Sequence, residues 1–344
     1  MNKILIVYTG GTIGMIQDLK SGALQTFNFD QLLEEVPELA KFKLIIDTYS
    51  FKEPIDSSNA SVQFWLEIAE VIENNYNLYD GFVVLHGTDT MAYTASALSY
   101  ILKGLSKPVI LTGSQVPIGM IRTDGKENLI TAIEIAASSR GKKPIVSEVA
   151  IFFENELHRG NRTIKLNAAH FNAFSSPNYP NLAKSGIFIH YDYSALMPFK
   201  NKTLKLRTDF CEDVIILKLF PGIKKEMVKA MLEAPGLKGV LLETYGSGNA
   251  PEFEWFIELL EEAVRNDILI INVTQCVEGF VVQGRYKTSS NLNRLGIVSG
   301  LDLTTEAALV KMMMVLTSKK NIEEKKRMML EPWAGELTVK STYN

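Results

Sequence analysis

Lys3-Ile4-Leu5-Ile6-Val7-Tyr8-Thr9-Gly10-Gly11-Thr12-Ile13-Gly14 is the stretch from which the fold can be read. Lys3–Tyr8 is a short apolar run with β-branched residues, and it stops abruptly at Thr9-Gly10-Gly11. A continuous apolar run of this length suits a strand buried on both faces. The theme recurs downstream. Leu44–Thr48 is a second strand candidate, and Val62–Tyr76 carries Phe64, Ile68, Val71 and Ile72 at helical spacing with acids between them. Gly81–His86 reads as another buried strand, followed by a small-residue helix from Thr90 to Leu102. Pro108–Thr112 and Val149–Phe153 are further strands, with an amphipathic helix at Glu127–Ala137 between them. Strands alternating with helices need crossover connections, which give a mostly parallel sheet.

The pattern breaks at about Tyr191, where the chain turns polar and aperiodic, and resumes on a smaller scale. Val214–Leu219, Val240–Glu243 and Ile268–Val273 read as strands. Lys224–Leu232, Glu252–Val264 and Thr305–Leu316 read as helices. The expected fold is therefore α/β: a larger N-terminal catalytic domain with a mostly parallel sheet flanked by helices at 1–190, a linker at 191–212, and a smaller C-terminal α/β domain at 213–344. The run Met312-Met313-Met314 suits core filling. The tail Thr338–Asn344 is expected to fray.

Composition narrows the function classes. With 46% hydrophobic and 22% charged residues and a net charge of -3, the chain is globular, has no basic stripe and calls for no nucleic acid. Cys211 and Cys276 cannot form a disulfide framework, which suits a reducing compartment. His86, His158, His170 and His190 are scattered without metal-ligand spacing. The apolar run Ile4–Tyr8 is shorter than a secretory h-region, and no stretch approaches a membrane span. A cytoplasmic protein with no membrane partner is expected.

In a parallel sheet, ligands bind beyond the carboxyl ends of the strands. Here those ends read Thr9-Gly10-Gly11-Thr12-Ile13-Gly14, His86-Gly87-Thr88-Asp89-Thr90 and Thr112-Gly113-Ser114-Gln115. Glycine admits a close backbone approach, and hydroxyls can donate, accept or attack. Position 12 is threonine, so the first loop is no dinucleotide fingerprint, and Gly-Lys-Ser/Thr is missing, so it is no phosphate-binding loop. A hydroxyl nucleophile needs a base. Asp89 and Lys165 are candidates, although Asp89 suits a helix N-cap equally well and Lys165 suits a solvated charge. Position rules alone reach only a hydroxyl-rich site between strand ends.

The runs Ile6–Gly14 and Gly81–Met91 resemble the two signatures of the L-asparaginase family. The resemblance extends through Asp56-Ser57-Ser58, Thr112–Gln115, Arg122-Thr123-Asp124-Gly125, Arg159-Gly160-Asn161-Arg162, Tyr245-Gly246-Ser247-Gly248-Asn249 and Thr274-Gln275-Cys276. It thus covers nearly the whole chain and is greatest to the cytoplasmic type I branch. It implies hydrolysis of L-asparagine to L-aspartate and ammonia. Thr12 would attack the side-chain amide carbon to form a threonyl acyl-enzyme. Thr88, Asp89 and Lys165 would activate the nucleophile or water and shuttle protons. Asp56, Ser57, Ser58, Thr88, Asp89 and Ser114 would hold the substrate, joined by Asn249 from a neighbouring subunit of a homodimer or homotetramer. For Asn249 an ordinary turn position is the equal alternative. No metal or organic cofactor is implied.

Departures from the family pattern carry expectations of their own. In the loop Asp18–Leu24, Ala23 stands where relatives place a tyrosine near the nucleophile. Ile164 and Glu243 stand where a threonine and an arginine accompany activation by a second asparagine, so a hyperbolic rate curve is expected. The readings that compete with a plain asparaginase are a dual asparaginase–glutaminase, the amidase subunit of a tRNA-dependent amidotransferase, and a non-catalytic amino-acid binder on the same scaffold. The amidotransferase subunit usually carries an added N-terminal domain, and the first signature here starts at residue 6.

Overall fold

The computed structural model describes residues 1–17, 24–26, 36–283 and 287–338. They form two compact units, Met1–Thr208 and Asp209–Asn344. In the first, strands Lys3–Gly10 (β1), Ile45–Ile55 (β2), Gly81–Leu85 (β3), Val109–Thr112 (β4) and Val149–Phe153 (β5) run parallel. Helices Val62–Asn75 (α1), Met91–Ile101 (α2) and Gly125–Ala137 (α3) alternate with them. The predicted strands and helices of this half are present, with ends shifted by no more than two residues except at β2.

Both faces of this sheet are covered. Ile4, Ile6, Val83, Leu85, Ile110 and Phe152 pack with Leu129, Ala132, Ile133 and Ala136 of α3. The strand residues of opposite parity, Leu5, Val7, Phe82 and Val84, are equally buried. Each such side chain contributes about 1.5–3 kcal/mol relative to exposure, which explains why the strands read as unbroken apolar runs. Ser61 starts α1 by accepting a hydrogen bond from the Phe64 amide.

Two features were not legible in sequence. β2 continues to Ile55, well past the apolar stretch, because it pairs with β1 from Ile45 to Ser50 and, after a register shift, again at Ile55. It is the edge strand, and Lys52 and Pro54 suit an edge that must not recruit another strand. At the opposite edge the sheet turns antiparallel through Glu156–Arg159 (β6), Ala183–Ser185 (β9) and Ile189–Tyr191 (β10). Between β6 and β9 a small hairpin is formed by Ile164–Lys165 (β7) and Phe174–Ser175 (β8). The sheet order is β10-β9-β6-β5-β4-β3-β1-β2. Lys205–Leu206 pair with Leu102–Lys103, which draws much of the polar stretch after Tyr191 into the first unit.

The second unit is a parallel sheet of Val214–Lys218 (β11), Gly239–Thr244 (β12), Leu269–Thr274 (β13) and Val298–Ser299 (β14), in that order. Its helices are Lys225–Leu232 (α4), Glu254–Arg265 (α5), Lys287–Arg294 (α6), Thr305–Leu316 (α7) and Ile322–Leu330 (α8). Met312 and Met314 are buried in the core and Met313 is partly buried, as core filling requires. Lys311 is also fully buried. Its ammonium donates to the carbonyls of Met329 and Glu331 and to the Glu336 carboxylate, tying the end of the described chain to α7. Thr338, expected to fray, donates its amide to Asp302 at 2.9 Å, and 339–344 lie outside the described residues. No helix among the described residues is long and apolar enough to cross a membrane.

Candidate active site

The site grows from the ends of β1, β3 and β4. After β1, Gly11 adopts φ 85°, and a Cβ there would lie 2.5 Å from the Gly87 nitrogen. The turn Thr12–Gly14 is therefore pressed directly against the loop that follows β3. Any side chain at position 11 would separate the two loops, so glycine here sets the distance between Thr12 and Thr88. Tyr8 supports the turn from below by donating its hydroxyl to the Gly14 carbonyl at 3.2 Å, and burial pushes its pKa up to about 12.

Gly87 meets a third segment in the same way. A Cβ on it would fall 2.5 Å from Ser57 Oγ. Ser57 is buried, and its carbonyl accepts from the Thr90 hydroxyl at 2.7 Å. Asp56 caps the turn Ser57–Asn59, its carboxylate accepting from the Ser58 amide at 2.9 Å and the Ser58 hydroxyl at 2.8 Å. These bonds hold the Asp56 carboxyl below the usual carboxylate range. Asp56 thus shapes this loop, while Ser58 is exposed.

The loop after β3 is fixed by His86. The Gly87 carbonyl can only accept, so His86 Nδ1 carries the proton, and the pair are 2.6 Å apart. Nε2 then accepts from Thr94 Oγ1 at 2.9 Å, which in turn accepts from Trp65 Nε1 at 3.1 Å. Burial lowers the imidazole pKa to about 4, so His86 is neutral at pH 7. It is a structural histidine, and it anchors the residue just before Thr88.

Lys165, at the end of β7, reaches across to this loop. Its Nζ lies 2.9 Å from Thr88 Oγ1 and 2.5 Å from Asp89 Oδ1. The ammonium is largely covered whereas Asp89 is exposed, their side chains being 18% and 63% accessible. Asp89 does not cap the helix that follows it. The helix after it starts at Met91 with Thr90 at the cap position and no side-chain cap, so Asp89 serves as the lysine's counter-ion. Lys165 is delivered by the turn Gly160–Arg162, whose Asn161 and Arg162 are buried and whose Arg159 pairs with buried Glu148 at 2.6 Å. The Thr163 hydroxyl closes this turn on the Arg159 carbonyl.

Ser114 lies beyond β4, and its hydroxyl is buried with no hydrogen-bond partner among the described residues. Sequence reasoning quoted its neighbour Gln115 without giving it a role. In the structure Gln115 Oε1 accepts from Thr88 at 3.3 Å, and its amide nitrogen donates to the His170 carbonyl at 3.1 Å. Asp124, likewise without an assigned role, accepts from the backbone amides of Gln115 and Val116.

Thr12, Ser57, Thr88, Asp89, Ser114 and Lys165 thus lie on adjoining loops at one end of the first sheet, and Asp56 and Ser58 belong to the same turn as Ser57. Asn249 lies in the second unit, where it forms an antiparallel bridge with Tyr245 after β12. Asn272 fixes that turn by accepting from Thr244 at 2.7 Å and donating to the Gly248 carbonyl. Ala23 lies outside the described residues. Among the described residues no group of three or more His, Cys, Asp or Glu is placed to hold a metal.

The model of the asparaginase N-terminal domain matches residues 3–196, and that of the glutaminase/asparaginase C-terminal domain matches residues 213–329. The chain belongs to the asparaginase family. It is 39% identical to L-asparaginase 1 of Escherichia coli K12 over 336 residues, 97% of this chain and 98% of that protein. It is 38% identical to a mouse 60 kDa lysophospholipase, of which it spans 63%. Among solved structures it resembles L-asparaginase I of Vibrio cholerae O1 biovar eltor with a TM-score of 0.88 and 37% identity, covering 98% of this chain and 99% of that one. In this asparaginase-family chain, as in that structure, an α/β unit with a mostly parallel sheet precedes a smaller parallel-sheet unit.

Proposed function

We propose that this protein hydrolyses L-asparagine to L-aspartate and ammonia through an ester on Thr12. The observation that carries the reading is the Lys165–Thr88–Asp89 set, hydrogen-bonded together on a loop that abuts the turn bearing Thr12. Thr12 Oγ attacks the amide carbon, the carbon–nitrogen bond breaks, and the nitrogen leaves as ammonia after gaining a proton. Water then attacks the ester carbon, releasing aspartate and restoring the Thr12 hydroxyl. A threonine hydroxyl reacts only with a base at hand. Lys165 serves as that base, with Thr88 carrying the proton between it and the reacting atoms. Asp89, exposed on its outer side, takes the substrate's α-ammonium group. The Ser57 hydroxyl is offered to the α-carboxylate by a turn that the Ser58 hydroxyl and amide hold in shape through Asp56. The Ser114 hydroxyl, buried with its hydrogen-bonding capacity unspent, suits the developing oxyanion.

Asn249 completes the site from a second copy, which makes the working form a homodimer or a homotetramer. The reaction uses no cofactor, and the protein works in the cytoplasm. The test is ammonia release from L-asparagine and L-glutamine with chelator present, beside fatty-acid release from a lysophospholipid. Asparagine turnover that Thr12→Ala abolishes, with aspartate binding kept, supports the reading. Near-normal turnover in Thr12→Ala refutes the nucleophile, and no release by folded wild-type protein refutes the activity. A glutamine rate within about tenfold of the asparagine rate would assign dual specificity, since one methylene discriminates by about 1–3 kcal/mol.

A further inference from the structure

Gln115 occupies a place in the site to which the proposed hydrolysis assigns no role. Its side chain links two groups at once, the Thr88 hydroxyl and the backbone carbonyl of His170. The chemistry of the two ends fixes the direction of every bond between them. A carbonyl only accepts, so Gln115 must present its NH₂ to His170 and hence its oxygen to Thr88. That oxygen also only accepts, so Thr88 spends its single proton on Gln115. The Thr88 oxygen then keeps its lone pairs for Lys165, which donates to it at 2.9 Å.

The same side chain braces the segment that carries Lys165. β7 and β8 form a hairpin whose connecting residues include His170. Asn167 shapes that connection by accepting from the amides of Ala169 and His170. Gln115 therefore ties the Lys165 hairpin to Thr88 directly. It is itself anchored, since its backbone amide donates to both Asp124 oxygens at 3.1 and 3.0 Å. Asp124 is held in turn by Val116 and Asn128.

We propose that Gln115 is a positioning residue that sets the spacing between Lys165 and Thr88 and the direction in which the Thr88 hydroxyl proton points. This rests on the proposed hydrolysis, in which Thr88 carries a proton to and from Lys165. With Gln115 in place, Thr88 meets Lys165 lone pair first, and the proton moves only when the substrate or water reorganises that bond. Asp124 is hydrogen-bonded to Gln115 itself, Lys165 meets it through Thr88, and Asp89 lies beyond Lys165.

Two substitutions test it, each read as kcat and KM across pH. Gln115→Met removes both hydrogen bonds at similar volume. The expected result is a fall in kcat of about ten- to a hundredfold, the scale of misplacing a catalytic group by an ångström, with KM within threefold. Gln115→Glu keeps the size and adds a negative charge separated from Lys165 only by the Thr88 hydroxyl, which favours the charged ammonium. The limb along which kcat rises with pH is then expected to move upward by about 0.5–2 pH units. A purely structural glutamine would instead cost stability in Gln115→Met while folded protein kept its kcat. Should Gln115→Met fail to fold, the isosteric Gln115→Glu carries the test alone.

Unchanged kcat in Gln115→Met with an unmoved limb in Gln115→Glu overturns the proposal. So does a rise in KM with kcat preserved, which would make Gln115 a substrate contact. Either result, with an active wild-type protein, leaves the hydrolase reading standing. A wild-type protein that releases no ammonia refutes that reading and takes this one with it.

Discussion

Replacing Lys165 by methionine separates catalysis from stability. The ammonium donates to Thr88 at 2.9 Å and Asp89 at 2.5 Å, but Asp89 is 63% exposed. An ion pair with one partner in water contributes about 0–1 kcal/mol after screening, and methionine retains the packing of the aliphatic stem. For a unit of this size, about 1 kcal/mol shifts Tm by roughly 2–4 °C. Loss of a general base costs about 10²–10⁴ in rate, equivalent to roughly 3–5 kcal/mol of barrier. Lys165→Met is therefore expected to lower kcat at least a hundredfold while Tm moves by no more than about 4 °C. Ammonia release under saturating asparagine, beside a calorimetric scan, reads both quantities. A kcat within tenfold of wild type would refute the base assignment. A collapse of Tm in step with activity would show that the contact is structural.

The remaining predictions concern other parts of the chain. Lys311→Met leaves the fully buried Glu336 carboxylate without its cation, and denaturant unfolding should show a loss of about 3–5 kcal/mol, much of it recovered in Lys311→Met/Glu336→Gln. His86 is neutral when folded, its pKa lowered by burial from 6.5 to about 4, so only the unfolded state takes up its proton between those values. Stability is thus unaffected by this group above pH 6.5, falls as pH drops toward 4 by a total of about 3 kcal/mol, and levels below that; stability measured against pH should be flatter in that window for His86→Gln. Gly87→Ala drives a methyl into Ser57 Oγ at 2.5 Å and should lower stability by about 1–3 kcal/mol, with relief by Ser57→Gly detected as non-additive Tm shifts. Glu243 is occupied by Lys218 at 3.2 Å and the Thr305 hydroxyl at 2.7 Å, so initial rates should follow a hyperbola in asparagine; a clearly sigmoidal curve would contradict this.

The central strands and their helices were readable because burial on both faces writes itself into sequence as period and continuity. β1, β3, β4 and β5 are apolar along their length, and each ends in a glycine turn, a polar run or a reversal. The antiparallel edge was not readable. β6, β9 and β10 are short, carry Glu156, Lys184 and His190, and are held by neighbours rather than by their own pattern. The polar β2 was half read for the same reason, since only its pairing with β1 makes it a strand as far as Ile55.

The site divides along the same line. Residues that act through their own local chemistry, such as the glycine turns and hydroxyls at strand ends, are visible one strand at a time. Which of them meet is a different question. Lys165 lies 77 residues from Thr88, and Gln115 lies 27 from Thr88 and 55 from His170. In sequence Asp89 has two equal readings, helix cap or catalytic group, because both need only a carboxylate before a helix. The fold leaves the helix without a side-chain cap and brings Lys165 within 2.5 Å of Asp89. Sequence by itself determined the α/β class, the two-part layout and the strand ends where chemistry belongs, because hydrophobic period and turn residues are local properties. Only the tertiary structure decided the direction of the Thr88 proton and the partner of Asp89, because hydrogen bonds depend on distances that chain order does not encode.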